Sequence, residues 1–165
     1  MNKIILLKTL RDFNKKATDD IILPVRRQKD DTDESVLFRP ASIHLMRLPD
    51  SKSAQKKAPY IIHQLITGRD IQPPGENETA SAVIRSVFCV YNDNEEEGSL
   101  MLLNLMERLR INLLKEIVIG RQFQLDLEAG LEGMVYPDDT APYYAGEMIS
   151  TWKLPAIQRE VREWL

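Results

Sequence analysis

The chain has one cysteine, Cys89, and two histidines, His44 and His63, among its 165 residues. A lone cysteine excludes an intramolecular disulfide and a cysteine-based metal cluster, and it is compatible with a reducing compartment. Long apolar runs are also missing. The longest near the N-terminus covers four residues, 4–7, too short for the core of a secretory signal. Nothing approaches the length of a membrane span. The expectation is a protein made and kept in the cytosol of its producing cell. A large excess of one charge is absent as well. The formal net charge is −3, which gives no reason to expect non-specific binding to DNA or to anionic lipid. The basic doublets Arg26-Arg27 and Lys56-Lys57 lie in polar segments without interleaved aromatic residues. There is no phosphate-binding Gly-x-x-x-x-Gly-Lys loop, no Gly-x-Gly-x-x-Gly turn and no Gly-x-Ser-x-Gly elbow.

The length suits one domain with a real core, here 1–165, with polar loops at about 26–35, 49–58 and 72–79. Leu6, Leu10, Phe13 and Ala17 recur at helical spacing, opposite Lys8, Arg11 and Lys15, which predicts a helix over 3–16. Ile5 and Leu7 flank that stripe. Short strand pieces are expected at 36–38 and 43–48, separated by Pro40. Residues 60–67 are strongly strand-like and Gly68 is expected to end them. The next strand, 82–91, is largely apolar on both faces, the pattern of a central strand covered on both sides. A long helix follows over 99–116, with Ser99 or Gly98 as cap and the preceding acids near its positive end. Its main stripe is Leu102, Leu105, Met106, Leu109 and Leu113, while Leu103 and Leu114 lie off it. Phe123, Leu125 and Leu127 alternate with polar residues as in a one-sided strand. Gly130 and Gly133 are expected at turns. Residues 147–154 alternate again until Pro155, and 158–164 predict a last short helix. The sum is an α+β fold: a mixed or antiparallel sheet of about five or six strands, with an N-terminal helix and one long helix packed on it.

The chemistry is sparse. His44 and His63 each sit in a strand-like run with no metal-ligand spacing nearby, the ordinary setting of a strand histidine with one satisfied hydrogen bond. A Ser-His-Asp triad converges only in a fold, so its members cannot be read from spacing. Asp138, Asp139 and Glu147, with Lys153, raise the alternative of a metal-dependent nuclease or other hydrolase, yet Asp138 and Asp139 read as turn residues and the close Glu-x-Lys pair is missing. The run Asp93, Glu95, Glu96, Glu97 lacks the ligand pattern of a calcium loop. It reads as a solvated helix start, or as a charged loop that meets a basic patch on a neighbour. Cys89 reads as a small buried hydrophobe. Catalytic, cofactor-binding and metal-binding residues are therefore expected to be none, and no cofactor is expected. Leu103, Leu114, Tyr143, Tyr144 and Trp152 are the candidate residues for a subunit or partner interface, with core packing an equal reading for Trp152. A small cytosolic adaptor with a partner groove is a further alternative.

The order of elements resembles the tail-terminator and tail-completion (neck) proteins of tailed bacteriophages. The resemblance is carried by the first helix, by Pro59-Tyr-Ile-Ile-His-Gln-Leu-Ile-Thr-Gly68 and Ser86-Val-Phe-Cys-Val-Tyr91, and by the helix over 98–116. The ending Tyr136-Pro-Asp-Asp, Pro142-Tyr-Tyr-Ala-Gly-Glu and Trp152-Lys-Leu-Pro155 completes it. The polar segment 17–58 departs from the family pattern. The resemblance implies an α+β subunit without catalytic residues that forms a homo-oligomeric ring, commonly a hexamer, at the head–tail junction of the virion. Such a ring ends growth of the tail tube and joins the tail to the head. The implied partners are other copies of the chain, the tail-tube protein and a head-completion or connector protein, with neither sequence-specific nucleic acid nor membrane. The implied location is the virion tail, after synthesis in the bacterial host cytoplasm.

Overall fold

The structure is a computed structural model that describes residues 2–27, 37–49, 57–137 and 140–161. The expected loops at 26–35 and 49–58 lie largely outside these residues, as do Asp138 and Asp139. The element order is α1 (Asn2–Thr18), β1 (Leu23–Pro24), β2 (Phe38–Arg39), β3 (Ser42–Leu45), β4 (Tyr60–Ile71) and β5 (Thr79–Tyr91). There follow α2 (Glu95–Glu116), β6 (Val118–Ile119), β7 (Phe123–Leu125), β8 (Leu131–Val135) and β9 (Tyr143–Leu154). Among the described residues β1 and β2 form a small antiparallel pair, and the other seven strands form one mixed sheet in the order β3-β4-β5-β9-β7-β6. β3 runs parallel to β4, and the remaining neighbours are antiparallel. β8 shares the outer edge of β9 with β7: Leu131 to Val135 pair with Ser150 to Gly146, and Gln124 and Leu125 with Lys153 and Trp152. The α+β fold of one domain, with two main helices on a mixed sheet, is as the sequence predicts.

Both helices lie on one face of this sheet. Strand alternation sends Ala82, Ile84, Phe88 and Val90 of β5, Ile61 of β4, and Met148 and Trp152 of β9 to that face. There they pack with Leu6, Leu7 and Leu10 of α1 and with Leu102, Leu105, Leu109 and Leu113 of α2. The main stripe of α2 is buried as expected. In α1 the buried residues are Leu6, Leu7, Leu10, Asn14 and Thr18, so the stripe is turned from the predicted one: Leu7 is inside, and the polar Asn14 and Thr18 replace Phe13 and Ala17 at its centre. A second, smaller cluster of Leu48, Ala58, Tyr60, Ile62, Cys89 and Tyr143 covers one end of the opposite face.

Several boundaries differ from those expected, each for a local reason. β4 passes through Gly68 to Ile71, because Gly68 pairs with Ala82 and the Lys3 side chain occupies the space above it. α2 begins at Glu95, with Asn94 as its cap: Asn94 Oδ1 accepts from the Glu97 N–H at 3.1 Å, so neither Gly98 nor Ser99 is the cap. β3 ends at Leu45, where Met46 takes φ 68°. β7 stops at Leu125 because Asp126 Oδ1 accepts from the N–H groups of Glu128 and Ala129 and turns the chain, which leaves Leu127 exposed. Gly130 does turn, at φ 81°, whereas Gly133 lies within β8. β9 begins at Tyr143, four residues before the expected start, and pairs with β5 along its length.

The described residues that follow β9 form no helix. Arg159 instead clamps the hairpin that joins β4 to β5. It donates to Glu78 Oε1 at 2.9 Å and to the carbonyls of Pro73 and Glu76 at 3.1 and 2.7 Å. The Arg159 guanidinium holds the Glu78 carboxyl down at about 2.

The seat of α2 on the sheet depends on one small residue. A side chain at Gly98 would enter the ring of Tyr144 on β9. Gly98→Ala is expected to cost about 1–3 kcal/mol through overpacking. Chemical denaturation should show less than the additive loss when Tyr144→Leu is combined with it.

Candidate functional site

The described residues contain one constellation with the parts of a nucleophile, a base and an orienting group. Asn14 of α1, His63 of β4 and Ser86 of β5 meet beneath the helix. Asn14 Nδ2 lies 3.1 Å from His63 Nε2, and His63 Nδ1 lies 2.7 Å from Ser86 Oγ. All three are buried, His63 and Asn14 completely. With the amide assigned this way, Nδ2 donates to Nε2, so the imidazole proton sits on Nδ1 and is donated to Ser86. A hydrolytic base must instead accept the proton of its serine. In this assignment the polarity is reversed, and in either assignment the buried Ser86 hydroxyl is closed to substrate, so the network is an internal tie between α1 and the sheet. Sequence spacing gave no hint of it, since its members come from three separate elements. The carbonyl oxygen of Asn14, Oδ1, has no hydrogen-bond partner among the described residues.

The other candidate chemistry is dispersed. Among the described residues no three His, Cys, Asp or Glu side chains converge as a metal site. Glu147 lies on the helix-free face, 3.7 Å from Arg85, and the two aspartates expected beside it lie outside the described residues. Cys89 is buried, and burial pushes its thiol up to about 11, the behaviour of a packed thiol and not of a nucleophile. Among the described residues no helix is long and apolar enough to cross a membrane.

The acidic run divides its labour. Glu95, Glu96 and Glu97 occupy the first turn of α2, where the helix dipole favours them. Asp93 accepts the Tyr91 hydroxyl at 2.8 Å. Asp93 and Glu97 share a groove with Arg26, Arg27, Phe38 and Met101, so this charged loop faces basic residues of its own chain.

The interface candidates separate into two groups. Leu103 and Leu114 are exposed, as expected. The aromatic residues are used inside the subunit, which corrects the reading of Tyr143 and Tyr144 as surface anchors and favours the core packing that is the equal reading for Trp152. Trp152 is fully buried and donates Nε1–H to Ser150 Oγ at 2.9 Å. Tyr143 is 6% exposed, its ring 5.6 Å from that of Tyr91 and its hydroxyl accepting from Arg26 at 2.6 Å. Tyr144 packs against the main core. These residues looked available because aromatic side chains serve interfaces and cores equally well.

Two apolar surfaces that the described residues leave uncovered are the candidate site. The first is a second stripe on α2: Leu100, Leu103, Ile111 and Leu114, exposed by 59, 44, 41 and 39%. Their spacing puts them on one side of the helix, turned away from the buried stripe. Leu100 and Ile111 escaped the sequence reading, although the same periodicity contains them. The second surface is the helix-free face of the sheet. Val83, Arg85 and Val87 of β5 point there, beside Ile149 and Thr151 of β9, all partly exposed. Met134 of β8 extends this face and is 49% exposed. The expectation that both faces of β5 are covered therefore holds only for its helix-facing residues and for the end near Cys89. An ion pair marks each surface: Glu107 with Arg110 at 2.8 Å on the helix, and Arg85 with Glu147 on the sheet.

Comparison with known proteins gives no match to a protein-family model and no significant relative among curated proteins.

Burial without a charged partner drives the His63 pKa down to about 3. The unfolded chain takes up this proton near its ordinary value of about 6.5. Between those limits acid favours the unfolded state, so the contribution of His63 is present above about pH 6.5 and is lost as pH falls toward 3, by about 1.4 kcal/mol per pH unit. Urea titrations at several pH values should show this slope, and His63→Gln should reduce it by the equivalent of one proton.

Proposed function

We propose that the chain is a structural subunit of a phage or prophage tail, forming a terminator or completion ring at the head–tail junction. The observation that carries this reading is the pair of separate apolar surfaces that the described residues leave uncovered on one small subunit. A head-to-tail ring requires two different contact surfaces per copy, one for each neighbour. The outer stripe of α2 and the helix-free face of β5 and β9 meet that requirement, and they lie on opposite sides of the molecule because the inner stripe of α2 holds the helix to the other face of the sheet. The order of elements that resembles the phage neck proteins supports the location. In this reading the ring closes the end of the tail tube and presents the surface on which the head docks. Its partners are further copies of the chain, the tail-tube protein and a head-completion or connector protein.

Native mass spectrometry of the full chain over a range of concentrations, alone and with assembled tail tubes, tests the proposal. The expected result is a closed oligomer, most simply six copies, formed in solution or on the tube. A chain that stays monomeric under both conditions would sink the reading. Leu103→Glu combined with Leu114→Glu should abolish the oligomer and leave monomer stability within about 0.5 kcal/mol, the usual range for surface substitutions.

A further inference from the structure

We propose that α2 of one copy packs across the helix-free face of the β-sheet of the next, laying its outer stripe over Val83, Val87 and Ile149. The contact deepens the ring reading and rests on it for closure. The occupant is argued from shape, layering and charge. A sheet that carries helices on one face completes a three-layer packing when a helix covers the other. The stripe from Leu100 to Leu114 is about 21 Å long at 1.5 Å per residue. The β5 face from Ser81 to Val87 offers about 20 Å at 3.3 Å per residue. An ion pair lies among aliphatic residues at the centre of each surface, and the sheet face also carries Lys153 and Arg69 beside Ser81 and Glu132 beside Ile149.

Charge fixes the direction of the contact. On α2, Arg110 donates to both carboxylate oxygens of Glu107, at 2.8 and 2.9 Å. On the sheet, Arg85 is held by two hydrogen bonds to Gln64 Oε1, at 3.0 and 2.8 Å, and by its pairing with Glu147. Each guanidinium is thus fixed by its own chain before the copies meet, so little side-chain entropy is lost on association. Placed face to face with opposite polarity, Glu107 meets Arg85 and Arg110 meets Glu147. The competing arrangement, α2 against α2 about a two-fold axis, sets Glu107 against Glu107 when the stripe is centred and leaves the sheet face bare. It also closes as a dimer and cannot propagate around a ring.

The test uses the full chain in a Cys89→Ala background with Val83→Cys and Leu103→Cys introduced together, since Leu103 lies over Val83 when Glu107 meets Arg85, treated with a short bismaleimide crosslinker. Helix-on-sheet contact predicts a ladder of covalent dimers, trimers and higher multimers, because each copy offers one thiol on each surface, and no multimers from either single-thiol variant. Crosslinked dimers from Leu103→Cys alone would overturn the proposal in favour of the two-fold contact. A closed oligomer by native mass spectrometry without the ladder would overturn the contact and leave the ring standing, whereas a monomer throughout would remove both. A charge exchange supplies an independent readout. Arg85→Glu and Glu107→Arg should each weaken association by about tenfold or more, and the double variant should recover most of the loss. Absence of recovery, with circular dichroism showing folded chains, would also count against the contact.

Discussion

β5 is hydrogen-bonded to β4 on one edge and to β9 on the other along almost its whole length, and the two sides of that strand live in different surroundings. Ala82, Ile84, Phe88 and Val90 are sealed beneath α1 and α2. Val83, Arg85 and Val87 face away from both helices. Side chains in a strand alternate strictly, so this division cannot be blurred without slipping the register and inverting every residue. The same division places α2, whose inner leucines must meet the even face of β5. Its outer leucines are then carried to the outside of the molecule, and the described residues leave two apolar surfaces uncovered.

The buried polar chemistry serves the same arrangement. Asn14, His63 and Ser86 have the composition of a catalytic triad, but they tie α1 to β4 and β5 in a place closed to substrate. A neutral imidazole in that position is a specificity device: only one seating of α1 satisfies it, at the cost of stability in acid. Arg159 plays a comparable part at the periphery, tying the segment beyond β9 to the β4–β5 hairpin. The polar groups of the interior thus hold elements in position.

Much of this was legible in the sequence, and the reasons are local. The inner stripe of α2 and the alternation in β5 and β9 are periodic signals, and periodicity survives without knowledge of the fold. The failures arose where a residue type has two good uses. Trp152, Tyr143 and Tyr144 serve a core or an interface equally well, and tertiary packing decided for the core. Gly68 and Gly133 punctuate loops in most settings, yet here they sit inside strands, Gly68 under the Lys3 side chain and Gly133 beside Met106. The Asn14–His63–Ser86 tie and the Arg159 clamp join residues far apart in the chain, and no local pattern announces them. The stripe of Leu100 and Ile111 was present in the periodicity but needed the burial of the opposite side before its exposure had meaning.

In the proposed ring a second copy covers what the described residues of the subunit leave bare. A cryo-electron microscopy reconstruction of the assembled particle tests this most directly. The predicted result is a closed ring in which the Leu100, Leu103, Ile111 and Leu114 side of α2 is buried against the Val83, Val87 and Ile149 face of the adjacent subunit. A ring in which both surfaces still face solvent, or an assembly with no contact between copies, would contradict it.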